Sequence, residues 1–213
     1  MWYFKLYKST LVYINMDIVL ATNNQGKIRE FRKILNNSNI NLILQSNYNV
    51  PDIEETGITF VENAIIKARH ASKCTGLPAI ADDSGLSVDC LNGQPGVYSA
   101  RYSGEHATDQ ENISKLLHEI SKYPEEARTA RYWCVIVFMK HFNDPTPIIC
   151  QNSWEGIITS NPRGSNGFGY DPCFYVPGLG KTASEISLEM KCKLDAHCQS
   201  MRQVIEIISE MYK

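Results

Sequence analysis

Two adjacent carboxylates, Asp82 and Asp83, stand in the stretch "IADDSGLSVD", led by an apolar approach and followed by Ser84 and Gly85. A carboxylate beside a buried strand is costly unless a cation, a proton or a set of donors compensates it. Asp-Asp-Ser-Gly is also ordinary turn chemistry, so a solvated strand end accounts for the same residues. The loop "PDIEETG" adds Glu54 and Glu55. If the fold brings one of them beside Asp82 and Asp83, the converging oxygens suit Mg²⁺, a hard cation that completes its shell with water and phosphates.

Three further stretches carry groups that could act with those carboxylates. "ATNNQGK", ending at Lys27, is a polar turn between a predicted strand and a predicted helix. Free amides and the macrodipole at a helix N-terminus favour an anion, and Lys27 adds a charge there, although the Walker A spacing is absent. In "NPRGSNGFGYDP", Gly167 and Gly169 let the backbone approach a ligand, and Phe168 between them is a flat plate on which a purine ring can stack, with Asp171 nearby to hydrogen-bond. A glycine-rich hairpin with its aromatics packed inward explains that segment as well. Lys181, Lys191, Lys193 and His197 follow late in the chain with no spacing that assigns them chemistry.

The elements that must position these groups alternate irregularly. "DIVLAT" reads as a buried strand, "IREFRKIL" as a helix and "NLILQS" as a second strand. "TFVENAIIKARHASKCTG" has a capping box, Thr59 to Glu62, and ends at Gly76, with Ile65, Ala68 and Ala71 on one face. "LPAIADDSGLSVDCL" reads as a strand, a turn and more extended chain. "TDQENISKLLHEI" has a second box, Thr108 to Glu111; "RTARYWCVIVFMK" is a central strand and "PIICQNSWEGIIT" its antiparallel neighbour. "ASEISLEMKCKL" and "CQSMRQVIEIISEMY" read as helices. The pattern predicts a mixed α/β fold with helices on both faces of the sheet, not a strict Rossmann or barrel alternation.

The chain has 213 residues, 43% of them hydrophobic, and a net charge of -2. Its pI is near 6.2 and its mean hydropathy -0.27. No overall basic field points to a nucleic-acid or membrane partner, so positive groups that handle phosphates should be local to a cleft. Seven scattered cysteines without a C-x-x-C pair fit a reducing, cytoplasmic setting better than a disulfide framework. Residues 1–15, "MWYFKLYKSTLVYIN", read as an extension that is disordered or lies upstream of the native start, and 16–213 as a single domain.

The four chemical stretches in this order resemble the non-canonical purine nucleoside triphosphate pyrophosphatases, also called inosine or xanthosine triphosphate pyrophosphatases. The resemblance is carried by "VLATNNQGKIREF", "EETGITFVENAIIKARHAS", "LPAIADDSGLSVDCLNGQPGVYSARYSGEHATD", "DPTPIICQNSWEGII", "PRGSNGFGYDPCFYVP" and "GKTASEI". It implies a long twisted mixed sheet under two lobes with a central cleft, a homodimer, and hydrolysis of ITP, dITP and XTP to the monophosphate and pyrophosphate with Mg²⁺. By position it implies that Thr22, Asn23, Asn24, Gln25, Gly26 and Lys27 bind phosphate and that Asp83 activates the attacking water. It further implies that Glu54, Asp82 and Asp83 hold the metal and that Ser84 touches substrate. Phe168, Gly169, Tyr170 and Asp171 match the segment that holds the base, and Lys191 a substrate-binding lysine. Asn63 and Lys67 would face the triphosphate from their helix.

One departure bears on base choice. The family carries Ser-His-Arg shortly after the substrate lysine, where this chain has Asp195, Ala196 and His197. Imidazole in place of guanidinium loses a bidentate fork and a permanent charge. His197 is then expected to contact substrate less selectively, so relaxed base specificity, or nucleotide binding with weakened catalysis, is the alternative reading.

Overall fold

The computed structural model describes residues 16–35 and 40–212; the predicted N-terminal extension lies outside the described residues. Seven strands form one mixed sheet in the order β2-β1-β3-β4-β5-β6-β7. They are β1 (Met16–Leu20), β2 (Ile40–Leu44), β3 (Ala79–Val88), β4 (Thr129–Met139), β5 (Ile148–Ile158), β6 (Phe174–Val176) and β7 (Lys181–Thr182). The helices are α1 (Gln25–Leu35), α2 (Phe60–Thr75), α3 (Asp109–Ile120), α4 (Leu188–Leu194) and α5 (Ala196–Met211). β1 is parallel to β2 and β3, and β3 to β7 run antiparallel in succession.

Burial follows the two-residue period of the strands. On one face Ile18, Leu20, Ile80, Ile136 and Phe138 pack in a core with Phe31 of α1 and Met201 and Val204 of α5. On the other, Val19, Ala79, Ala81, Val135 and Val137 pack against Ala64, Ala68 and Ala71 of α2. Small side chains along α2 let it lie close to the sheet, and Ala64, not Ile65, joins Ala68 and Ala71 in the fully buried stripe. Both predicted capping boxes form, and Gly76 closes α2 at φ 72°.

The fold departs from the sequence pattern in one consequential place. Asp82 to Gly85 make no turn: they are the middle of β3, paired with Ile136, Val135, Cys134 and Trp133 of β4. Local turn propensity loses here to a ladder running the full length of β3. The predicted helix from Ala183 likewise starts later, after a short 3₁₀ turn over Ala183–Glu185.

β1 meets β3 only at Val19–Leu20 against Ala79–Ile80, and β3 then runs on to Val88. Beyond the end of β1 its outer edge faces the β1–α1 connection and the turn Gly96–Arg101. Ser99 Oγ accepts from Leu86 N at 2.8 Å and donates to Gly96 O at 2.6 Å, binding that turn to the strand. The crevice thus opens at the C-terminal end of a parallel strand, where open α/β sheets place ligands.

Candidate active site

Because consecutive strand residues point to opposite faces, Asp82 and Asp83 enter different surroundings. Asp82 lies on the α1 and α5 side. Lys27 Nζ donates to its Oδ2, and His197 Nε2 stands 3.7 Å from the same oxygen. Burial would raise this carboxyl, but the charge of Lys27, followed by those of His197 and Lys67, outweighs it and holds the group at about 2. Burial would lower the Lys27 ammonium, yet Asp82 raises it above its usual range.

Asp83 lies on the α2 side. Lys67 Nζ donates to Oδ1 at 2.9 Å and Asn63 Nδ2 to Oδ2 at 3.4 Å. Burial lifts this carboxyl, Lys67 draws it down, and the charges of Glu55 and Asp82 push it up again, to about 6. Two neighbouring carboxylates therefore differ in role: one is a permanent anion locked to a lysine, the other titrates close to neutrality.

The expected metal set of Glu54, Asp82 and Asp83 is not gathered at one point: Asp82 and Asp83 leave opposite faces of β3, although both border one cavity. Glu54 is exposed, and the residue of that loop brought to the acidic cluster is Glu55, whose Oε1 lies 3.1 Å from Lys67 Nζ. Glu55 and Asp83 thus share one ammonium group. The sequence offered both glutamates, but only the path of the Pro51–Gly57 loop separates them.

The Thr22–Lys27 connection also differs from expectation. Asn24 Oδ1 accepts from Gly26 N at 2.8 Å and Lys27 N at 3.2 Å, so two of the amides predicted to be free are capped by a side chain. Asn24 N donates to Thr22 Oγ1, and Asn23 Nδ2 to Asp52 Oδ1. Gln25 opens α1, and Lys27, one turn in, is turned to Asp82.

At the other end, the glycine-rich loop does both things the sequence allowed. Phe168 is 60% exposed and Tyr170 is buried, its hydroxyl donating to Ser99 O at 2.7 Å. Asp171 folds back beneath the loop, accepting from Phe168 N at 3.0 Å and pairing with Lys191 Nζ. Burial lifts the Asp171 carboxyl in spite of Lys191. Lys191 Nζ sits 4.8 Å from the centre of the Phe168 ring. Gly169 N donates to Asp109 Oδ2 at 2.7 Å, a support from the first turn of α3 that no sequence motif signalled.

In the divergent segment, Asp195 caps α5 by accepting from His197 N at 3.0 Å, and Ala196 is buried in the first turn. His197 Nδ1 lies 2.7 Å from Glu30 Oε2, and its ring meets Phe31 edge-on at 5.8 Å. Its side chain is thus committed to Glu30 and to the Asp82 side.

Two cavities adjoin along the exposed edge of β3. One is lined by Phe168, Asp171, Lys191 and His197, the other by Thr22, Glu55, Lys67 and Asp83, and both reach Lys27, Ser84 and Ala100. An aromatic plate at one end, three lysines along the way and a near-neutral carboxylate at the other make a groove shaped for a flat heterocycle with a polyanionic tail. Lys67 completes it. Its i, i+4 spacing from Asn63 on one helix face was the available sign.

Comparison with known proteins gives the family and the fold. The chain matches the Ham1 family over residues 18–207. It is 52% identical over 191 residues to the dITP/XTP pyrophosphatase of Salmonella typhimurium, covering 90% of this chain and 97% of that protein. The dITP/XTP pyrophosphatase of Escherichia coli K12 is 51% identical over the same shares. A solved HAM1 protein from Coxiella burnetii superposes with a TM-score of 0.89 at 50% identity, over 92% of this chain and 99% of that one.

Proposed function

The chain belongs to the Ham1 family, and from that premise we propose that its groove hydrolyses ITP, dITP and XTP to the nucleoside monophosphate and pyrophosphate. It is a nucleoside triphosphate pyrophosphatase that removes deaminated purines from the nucleotide pool. The observation that carries the assignment to this groove is the division between Asp82, buried and locked to Lys27, and Asp83, which meets Lys67 and Asn63 on the other face and is raised by burial to about 6. A general base works best when its pKa lies near the operating pH, and Asp83 is the group so placed.

In this reading the purine stacks on Phe168, with Lys191 and Asp171 fixing that loop. The triphosphate runs past Lys27 toward Lys67, with Thr22 to Lys27 and Ser84 lining its path and Asn63 orienting Asp83. Asp83 takes the proton from the water that opens the α–β phosphoanhydride, and the lysines meet the charge moving onto pyrophosphate. Glu55 and Asp83 already share one cation, Lys67, through oxygen atoms alone, so the residues fit a hard divalent ion. Asp83 with Glu54 or Glu55 would hold Mg²⁺, which when bound neutralises phosphate charge and orients water. Seven free cysteines support a reducing, cytoplasmic setting. We read the assembly as a homodimer, which sedimentation would test.

Pyrophosphate release measured over ITP, XTP, dITP, GTP and ATP, with and without Mg²⁺, tests the reading. ITP, XTP and dITP should turn over at least about tenfold faster than GTP or ATP. Release of orthophosphate in place of pyrophosphate, or no hydrolysis of ITP, XTP or dITP, would overturn it. His197 supports a second reading, relaxed base choice, because Glu30 engages its Nδ1 and it presents no guanidinium fork. A dITP to dATP ratio near one would select it.

Gly167 offers a separate check of the base plate. Its φ is +83°, and a Cβ there would lie 1.9 Å from Asp171 Oδ2. Gly167→Ala should push Asp171 off Lys191 and the Phe168 amide. The expected result is a KM raised about tenfold with kcat changed much less, the mark of lost uniform binding. Unchanged KM for every substrate would remove the loop from base binding.

A further inference from the structure

Below the groove, a thiol, a carboxylate and an imidazole converge from three elements. Cys134 Sγ of β4, a carboxylate oxygen of Asp82 in β3 and a ring nitrogen of His197 in α5 all lie within 4.8 Å of one another, and all three residues are buried. Cys134 and Asp82 meet because they occupy the same face of adjacent strands, Cys134 opposite Ser84 and Asp82 opposite Ile136. The Asp195 cap sets the first turn of α5 over them and turns His197 inward.

Two atoms of this cluster lack partners. Asp82 Oδ1 and His197 Nε2 are buried and make no hydrogen bond, in residues only 2% and 7% exposed. Buried polar groups left this way cost on the order of 1–3 kcal/mol each, and native proteins seldom retain them without a reason. Glu30 engages the His197 ring at Nδ1, which leaves Nε2 as the nitrogen facing the carboxylate of Asp82. That relation, an imidazole oriented from behind by a carboxylate with its other nitrogen free, is how metal-binding histidines are held.

We propose that Asp82, Cys134 and His197 form a binding site for a thiophilic divalent cation of the Zn²⁺ class, distinct from the oxygen-lined position between Glu55 and Asp83. One sulfur, one nitrogen and one oxygen make a three-ligand set of the kind zinc accepts, with a fourth position opening toward the groove that Lys27, Cys134 and His197 line. Mg²⁺ has no affinity for such a sulfur, so the two positions sort cations by hardness. Binding exchanges the thiol proton for the metal: the Cys134 S–H proton leaves to solvent as the sulfur–metal bond forms. Asp82 Oδ1 is the open oxygen, while Oδ2 holds Lys27. A cation there competes with Lys27 for Asp82 and disturbs the lysine on the phosphate path. Zn²⁺ therefore inhibits hydrolysis without competing for the Mg²⁺ position, a consequence that rests on the proposed function; binding itself does not.

The site owes its nitrogen to the divergent segment, which supplies the test. Co²⁺ titrated into the full metal-free chain should give one equivalent of a species with a sulfur-to-cobalt charge-transfer band and the intense visible bands of a tetrahedral ion, bleached by Zn²⁺. Cys134→Ser should abolish the charge-transfer band, and His197→Arg should weaken Co²⁺ binding at least tenfold, each variant checked for a native circular dichroism spectrum. The exposed pair His70 and Cys74, whose sulfur lies 3.8 Å from Nε2, is the competing thiol–imidazole site, and Cys74→Ser should leave the band intact. No band in the wild type, or a band that depends on Cys74 and survives Cys134→Ser, overturns the proposal. Micromolar Zn²⁺ in excess Mg²⁺ should then slow pyrophosphate release at least tenfold in the wild type. A cobalt band with hydrolysis untouched by Zn²⁺ keeps the site and overturns the inhibition.

Discussion

Asp83→Asn lowers turnover by roughly 10²–10⁴-fold, the loss expected of a missing general base, while the protein becomes more stable at neutral pH. The two effects share one cause. In the fold the Asp83 carboxyl is raised from 3.8 to about 6, first by burial, with Lys67 compensating only in part. A carboxyl raised by folding contributes its full stabilisation below its unfolded value near 3.8 and loses it as pH rises through about 6. Above that the ionised side chain is a net cost, which asparagine removes while keeping the shape and the Asn63 contact. A tenfold change in proton affinity corresponds to about 1.4 kcal/mol, so the gain is on the order of 1–3 kcal/mol, or several degrees in Tm. The wild-type kcat/KM should fall one decade per pH unit below about 6. Melting curves at pH 8 and at pH 4 read the stability arm, since the variant's advantage should shrink toward the lower pH. Retained turnover removes Asp83 from the reaction; lost turnover with an unstable variant returns it to a purely structural role.

Lys27→Met has the opposite signature: it costs about 3–5 kcal/mol of stability, the penalty for stranding a buried charge. The Asp82 side chain is 1% exposed, and its Oδ1 already lacks a hydrogen bond. Removing the ammonium leaves His197 and Lys67 as the remaining compensating charges. The double variant Lys27→Met, Asp82→Asn should recover most of the loss in urea unfolding, because neither charge then remains. Hydrolysis should be lost in both. In the wild type Asp82 is lowered from 3.8 to about 2, so its contribution is present above its unfolded value and disappears as pH falls through about 2. Asp82 thus supports the fold in the pH range where ionised Asp83 opposes it. A cost below about 1 kcal/mol for Lys27→Met would mean that the pair is solvated and that Asp82 is no fixed anion.

Much of this protein was legible from residue order because the signals are local. A threonine three residues before a glutamate satisfies helix amides within one turn, so Thr59–Glu62 and Thr108–Glu111 marked the starts of α2 and α3 correctly. Runs of β-branched and aromatic residues marked β4 and β5, and the ordered motifs from Thr22 to Lys191 carried the family.

The tertiary structure alone decided the division of labour. Whether Asp82 and Asp83 lie in a turn or a strand depends on a β4 partner some fifty residues away. Once they are in a strand, the pleat sends one carboxylate to Lys27 and the other to Lys67. Glu55 rather than Glu54 reaches Lys67, Asn24 caps the amides that looked free, and His197 turns to Glu30 and Asp82. Each outcome is a long-range distance between groups whose chemistry the residue types already allow, and electrostatic role varies with distance and burial far more steeply than with identity. The sequence by itself determined which groups are present and which local elements carry them; packing the sheet against α1, α2 and α5 determined which groups meet, and so which carboxylate keeps its charge and which one exchanges a proton.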